Sequence, residues 1–379
     1  MKRYLAATQQ SMATLLPVVL ALTWLALGQR LVLLPDGFFP TVLHYTKFVG
    51  KFVMLNGLIT NALTMGFQLV GVLVVARTLM TLLKSHLKTE QLGVLIALSA
   101  LIVWHLLGNP QMINWLILPV FVMSLVWPVQ RVRPEWRFSM GVAVNAIYAL
   151  YILVVQRWWE FSLTAYLQQV VNGWFGDGPQ HLWSSIAWYV MAVLGNGLGL
   201  NSLSSVVNPD ISTTTANANL VAMLQHQTLP NLYSLYPLAP FALVGSAGML
   251  LALFLAMMIR RRMKHVSITW LLVLIPLLLD QWWPLAFMIP IMWRPRLMGR
   301  MVAVTIVNLL LGALLLFRHL APAVYWVPSG TPNLLLGGLA SHQLGAYAIV
   351  MVAILLLDIW LYWQPAKRIL EEVTDAQWT

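Results

Sequence analysis

About ten stretches of this chain are long, apolar and almost free of charge, and that pattern narrows what it can fold into more than any single motif. LLPVVLALTWLALG and GAYAIVMVAILLLDIWLYW are two of them. Only 9% of the 379 residues are charged and 60% are apolar, and the mean hydropathy is +0.78. A soluble domain carries roughly 25% charged residues to cover its water-facing surface. This chain has too few, so lipid must be the solvent for most of its surface. The backbone must then satisfy its own hydrogen bonds, through helices or a closed barrel. Barrel strands would read as alternating segments of about ten residues, and the unbroken runs here exclude them. The predicted fold class is an all-α integral membrane protein with about ten transmembrane helices and re-entrant segments in the C-terminal half.

A span needs about 20 apolar residues, which predicts spans at 13–33, 57–83, 91–108, 111–128, 139–158, 182–200, 239–259, 266–292, 299–318 and 343–364. Basic clusters lie between them: Lys84 and Lys88, Arg131, Arg133 and Arg137, Arg260 to Arg262 with Lys264, and Lys367 with Arg368. The net charge of +11 reads as Lys- and Arg-rich cytoplasmic loops facing anionic lipid, not as a nucleic-acid surface. With Lys2 and Arg3 inside, the first five spans alternate correctly. The third basic cluster does not follow from counting, so either parity changes between 201 and 238 or one span is re-entrant. Lys2 and Arg3 precede a run with no small-residue cleavage site, and it is read as a retained first helix. The chain has no cysteine, which removes thiolate metal sites, disulfides and cysteine nucleophiles. Its eight histidines form no HxxxH or HExxH pair, and no metal or cofactor is expected. No catalytic motif is present either. GNGLG at 195–199 only echoes a dinucleotide loop and has no βαβ context.

The polar content is concentrated late. NSLSSVVNPDISTTTANANLVAMLQHQTLPN is too polar to face lipid, and reads either as an exposed loop or as irregular backbone lining a cavity. APAVYWVPSGTPNLLLGG, marked by proline and glycine, is a second broken segment. WWEFSLTAYLQQVVNGWFGDGP, at 158–180, reads as a helix lying in the interface. The expected organisation is a transmembrane scaffold or dimerisation domain over 1–160, a substrate-binding-like transmembrane domain over 161–365, and a cytoplasmic tail over 366–379.

Two carboxylates fall inside apolar runs. A carboxylate at bilayer depth is expensive and faces a cavity or a partner. Asp280 is read either as the buried partner of Arg294 or Arg296, or as an acceptor for a polar ligand. In the second reading Gln281 assists, Trp282 and Trp283 offer faces to a sugar ring, and Pro284 frees an upstream carbonyl. Asp358 has no proline or glycine around it and reads as packed or snorkelling.

The order of these features resembles the enzyme IIC permease subunits of the lactose/cellobiose/chitobiose branch of the bacterial phosphotransferase system. RYLAATQQSMATLLPVV is similar to the family's opening helix, and ALTMGFQLVGVLVVARTLMTLLKSHLKTEQLGVLIALSALI to its second and third spans. FALVGSAGMLLALFLAMM matches its Gly-Ser-Gly span. WVPSGTPNLLLGGLAS and LYWQPAKR match a late Val-Pro segment and the terminal aromatic-Pro-Lys exit. The resemblance implies a homodimeric, multi-pass protein of the bacterial inner membrane that translocates a β-linked disaccharide or other sugar. A separate IIB subunit, supplied by IIA, would phosphorylate the sugar. The departures are specific. Where the family has a Gly-Ile-His-Gly motif with a sugar-contacting histidine, this chain has Asn196-Gly197-Leu198-Gly199, and no nearby register supplies a histidine. Its Asn-Glu-Pro carboxylate is replaced by tryptophan before Pro284, and the tryptophan of its late Val-Pro-Trp by Ser329, with Trp326 nearby. The candidate substrate-binding residues are therefore Asp280, Gln281, Trp282, Trp283, Asn196, Asn201, Asp210, Trp326 and Ser329. A second reading stays open: a transport-inactive membrane sensor passing a signal to a cytoplasmic module such as a cyclic-di-GMP phosphodiesterase.

Overall fold

A computed structural model of the chain describes residues 2–107, 115–154, 166, 170, 173–174, 181–199, 209–261, 267–321, 323–324, 331–341 and 343–377. All regular structure among the described residues is helical. Six helical stretches are long and apolar enough to cross a membrane: Leu16–Val42, Thr46–Leu83, Thr89–Leu107, Pro134–Val154, Pro295–Phe317 and Leu344–Leu361. Four shorter apolar helices accompany them, at Ile117–Arg131, Leu182–Leu198, Leu250–Arg260 and Ile268–Leu278. The chain is thus a multi-pass helical membrane protein. Its lipid-facing surface is apolar, with Met54, Ile147, Leu150, Ile349 and Leu356 all exposed.

The N-terminal half is built from α1 (Lys2–Thr14), α2 (Leu16–Gly28), two short helices α3 (Phe38–Val42) and α4 (Thr46–Val49), then α5 (Val53–Leu83), α6 (Thr89–Leu107), α7 (Ile117–Arg131) and α8 (Arg137–Tyr151). α5 packs along α6, α1, α2 and α7. Few charges are available to hold spans together in lipid, so small polar groups do it. Thr78 donates to Ser11 at 3.1 Å, Ser99 to Asn145 at 3.2 Å, and Gln29 to Thr60 at 2.8 Å. Each joins two helices that are far apart in sequence.

The second half departs from ten uninterrupted spans. The run expected at 239–259 is split into α11 (Leu235–Ala242) and α12 (Leu250–Arg260), with 243–249 unwound between them. The cause is local. Gly245, Ser246, Gly248 and Met249 all have positive φ, between 53° and 86°, which no helix tolerates and which glycine supplies most cheaply. The run expected at 266–292 is split into α13 (Ile268–Leu278) and α14 (Trp283–Met288). Pro284 sits in the first turn of α14; it lacks an N–H and clashes with the carbonyl one turn earlier, so the helix cannot continue through it. Asp280 takes φ +63° at this break. Both interruptions lie inside runs expected to be unbroken spans, not in the polar stretch after 201 or the proline- and glycine-marked stretch after 321 where broken backbone was expected.

The polar stretch after 201 is neither a plain loop nor irregular throughout. From Pro209 it forms α10 (Pro209–Leu224), with proline in the first turn where its missing N–H costs nothing. Asn219 is fully buried and staples this helix to the following turn. Its amide donates to the Asn231 carbonyl at 3.2 Å and its carbonyl accepts the Asn231 N–H at 3.0 Å. The remaining elements are α9 (Leu182–Leu198), α15 (Pro295–Phe317), α16 (Asn333–Ala340), α17 (Leu344–Leu361) and α18 (Trp363–Gln377). The expected interfacial helix at 158–180 lies almost entirely outside the described residues.

The two halves are packed against each other. α2 contacts both α13 and α14, and α1 contacts α14. The segment beyond 363 is also docked: α18 lies on α12, burying Ala366 and Ile369.

Candidate functional site

The two helix breaks face each other, and Asp280 joins them. Its Oδ1 accepts the N–H of Gly245 at 3.0 Å and its Oδ2 the N–H of Asn333 at 2.6 Å. Gly245 belongs to the unwound turn between α11 and α12, and Asn333 is the first residue of α16. Orphan N–H groups at a turn and at a helix start are what a carboxylate satisfies best. The expected ion pair with Arg294 or Arg296 does not form. Arg294 pairs instead with Glu372 of α18, while Arg30 is the described cation whose charge favours the ionised Asp280. The backbone already takes one bond from each carboxylate oxygen, so Asp280 is first a clamp on three broken segments.

The polar line extends from this clamp. Asn196, near the end of α9, is buried, and its Nδ2 donates to the Ser246 hydroxyl at 3.0 Å. Its Oδ1 is buried without a hydrogen-bond partner among the described residues. Asn333 reaches the Leu243 carbonyl at 3.5 Å with its side chain and accepts the Tyr347 hydroxyl at 3.1 Å. Gly248 accepts the Tyr362 hydroxyl, so α18's entry is also tied to the turn. The GNGLG stretch closes α9. Gly199 caps it with φ +80°, and the carbonyls of 197 and 198 accept the Trp293 backbone N–H and indole N–H at 2.8 and 3.1 Å.

Trp282 and Trp283 are placed differently from the expectation. They stack on each other at 4.9 Å and are 4% and 8% exposed. Trp283 continues into Trp115 at 5.4 Å and Phe67 at 6.2 Å, and Trp115 meets Phe287 at 5.5 Å. This is an aromatic core between the halves, and its ring faces are spent on each other. Gln281 is half-buried at the break, its N–H donating to the Pro276 carbonyl at 2.8 Å. Asn201, Trp326 and Ser329, and the side chain of Asp210, lie outside the described residues.

On the far side of the aromatic core lies a cavity of about 530 Å³, within the range of small-molecule sites. One wall is the polar face of α1 with Arg3, Gln9 and Gln10, and another is the chain from Ala286 to Pro290. The mouth carries Arg294 and Glu372, with Arg294 also donating to the Gln9 side-chain Oε1 at 3.5 Å. None of the residues expected to bind substrate lines this space. The signal missed in the sequence was the Gln9-Gln10 pair, two primary amides side by side just before an apolar run.

No protein-family model matches the chain, and no curated protein does. Among solved structures it aligns with the transporter ChbC, the IIC component from the N,N'-diacetylchitobiose-specific phosphotransferase system. The alignment covers 99% of this chain and 96% of that one, at 16% identity and a TM-score of 0.46. The chain is similar to that IIC component.

Proposed function

We propose that this protein is a IIC-type permease that recognises a carbohydrate and carries it across a bacterial inner membrane. The observation that carries this reading is the meeting of two interrupted apolar helices at a partly buried carboxylate, with a polar-walled cavity beyond the aromatic core. Irregular backbone at membrane depth is tolerated only where protein or a water-filled cavity takes up its hydrogen bonds, and paired broken helices mark substrate sites in carriers. The order of sequence segments shared with the lactose/cellobiose/chitobiose branch supports the same reading.

The cavity suits a polyhydroxylated ligand. Gln9, Gln10 and Thr81 give hydrogen-bond donors and acceptors, Arg294 and Glu372 are charged planar groups at its mouth, and Phe287 offers an apolar surface. Each buried hydrogen bond left unmade costs a ligand about 1–3 kcal/mol, so such a lining discriminates among sugars. The cavity lies at the Lys2 and Arg3 end of α1, the cytoplasmic end by the positive-inside rule. A IIB subunit reaching the sugar there would phosphorylate it, and the chain would work as a homodimer. Asn196, with its spare Oδ1 beside the hinge-like turn, and Gln281 are the residues of the clamp with capacity left for substrate.

The test is uptake of labelled β-linked disaccharides into cells expressing the chain with a cognate IIB, against cells lacking either. Uptake that needs both supports a permease. Saturable binding to the purified protein without uptake would favour the sensor, and neither binding nor uptake for any sugar would end the carbohydrate reading.

A further inference from the structure

Asp358 is the ionisable group least explained by the carbohydrate reading. It lies within α17 and is fully buried inside the protein, so it does not snorkel. Its Oδ2 accepts the Asn308 side-chain N–H of α15 at 2.9 Å. Its Oδ1 has no partner among the described residues, and neither has the Oδ1 of Asn308, also fully buried. The neighbouring ionisable groups are engaged elsewhere. Arg300 donates to the Leu361 carbonyl at 3.1 and 2.7 Å, and Arg260 lies over the Trp363 ring. Lys367 faces Glu371, and Tyr362 donates to the Gly248 carbonyl. No cation is bonded to Asp358 among the described residues.

A carboxylate and an amide oxygen are both acceptors, so an ionised Asp358 leaves two buried acceptors unmet. One proton on Oδ1 resolves both. A carboxylic acid facing a primary amide forms two parallel bonds, amide N–H to acid carbonyl and acid O–H to amide carbonyl. The first is already present at Oδ2, and the second would join the two oxygens that lack partners.

We infer that Asp358 and Asn308 form a proton-binding site between α15 and α17, holding one proton in a closed acid–amide pair. The site rests on neither the sugar nor the IIB proposal. It also sits one turn from Tyr362, whose hydroxyl holds the turn that Asp280 clamps. Loss of the proton would leave two bare oxygens facing each other and force the helices apart or draw in water.

Infrared spectra of the purified protein in nanodiscs at neutral pH test this. A carboxylic acid carbonyl band should be present in the wild type, absent in Asp358→Asn, and restored in the double exchange Asp358→Asn with Asn308→Asp, which rebuilds the pair in reverse. Both variants should elute and melt like the wild type, because each keeps a neutral pair of the same shape. If the pair holds a metal cation instead, sodium ions would raise the melting temperature of the wild type and not of Asp358→Asn. That result, or a wild-type spectrum whose acid band survives Asp358→Asn, overturns the inference. Should Asp358→Asn fail to fold, deuterium-induced shift of the wild-type band still decides it: no shifting acid band means no bound proton.

Discussion

At the scale of single residues, Asp280 was legible as exceptional but not in its task. A carboxylate inside an apolar run must be satisfied, and the sequence offered arginines or a ligand as the satisfiers. The structure offers backbone N–H groups, which every residue carries and no sequence pattern advertises. Asp280→Ala should therefore strand the N–H groups of Gly245 and Asn333 together, costing on the order of 3 kcal/mol. Asp280→Asn keeps one acceptor oxygen and should cost less. Thermal unfolding of the detergent-purified variants checks the order; equal melting points for both would mean that the clamp contributes nothing. Gly245 is the partner that can be tested from the other side. A Cβ there would lie 2.5 Å from the Leu251 backbone nitrogen, at φ +72°, so Gly245→Ala should lose about 1–3 kcal/mol from backbone strain alone. A variant melting like the wild type would show that the turn is not held in that conformation.

At the scale of elements, helix existence was readable from apolar run length, but the two interruptions were not, because 239–259 and 266–292 each read as one apolar span. The breaks fall at Pro284 and at Gly245-Ser246-Ala247-Gly248, short signals inside otherwise apolar runs. Nor could it be read that Pro209 starts a helix in the most Ser-, Thr- and Asn-rich part of the chain. Those residues favour caps and turns through their own side chains. Here Asn219 directs that capacity to the Asn231 backbone instead, a partner twelve residues on. Helix contact is equally specific at α16. A Cβ on Gly337 would come within 2.0 Å of the Tyr347 ring, whereas one on Gly299 in α15 meets nothing within 4 Å. Gly337→Ala should push α16 away from α17 and, through Asn333, loosen the bond to Asp280. Gly299→Ala should be neutral or gain up to about 1 kcal/mol from helix propensity. Opposite shifts in melting temperature are the expected outcome; a harmless Gly337→Ala would contradict the close packing of α16 on α17.

At the scale of the whole molecule, the expected division into scaffold and substrate half is crossed by the most informative space in it. The cavity is bounded by α1 from the beginning of the chain, by α14 from the second broken span, and by Glu372 from the last helix. No local pattern could have brought these together, because each segment reads as complete by itself: a short basic opening helix, an aromatic break, an amphipathic end. Only the packing of α1 and α2 against α14 makes them one site. That dependence gives a test that separates the cavity from the clamp. Gln10 is exposed on α1 and lines the cavity, so a tryptophan there can occupy the space without disturbing the core. Gln10→Trp should leave thermal unfolding within about 0.5 kcal/mol of the wild type, as for an ordinary surface change, while carbohydrate uptake falls at least about tenfold. The tenfold loss corresponds to about 1.4 kcal/mol of binding, less than two buried hydrogen bonds would supply. Unimpaired uptake by a well-folded Gln10→Trp protein would move the substrate out of this cavity and back toward Asn196 and Gln281 at the broken helices.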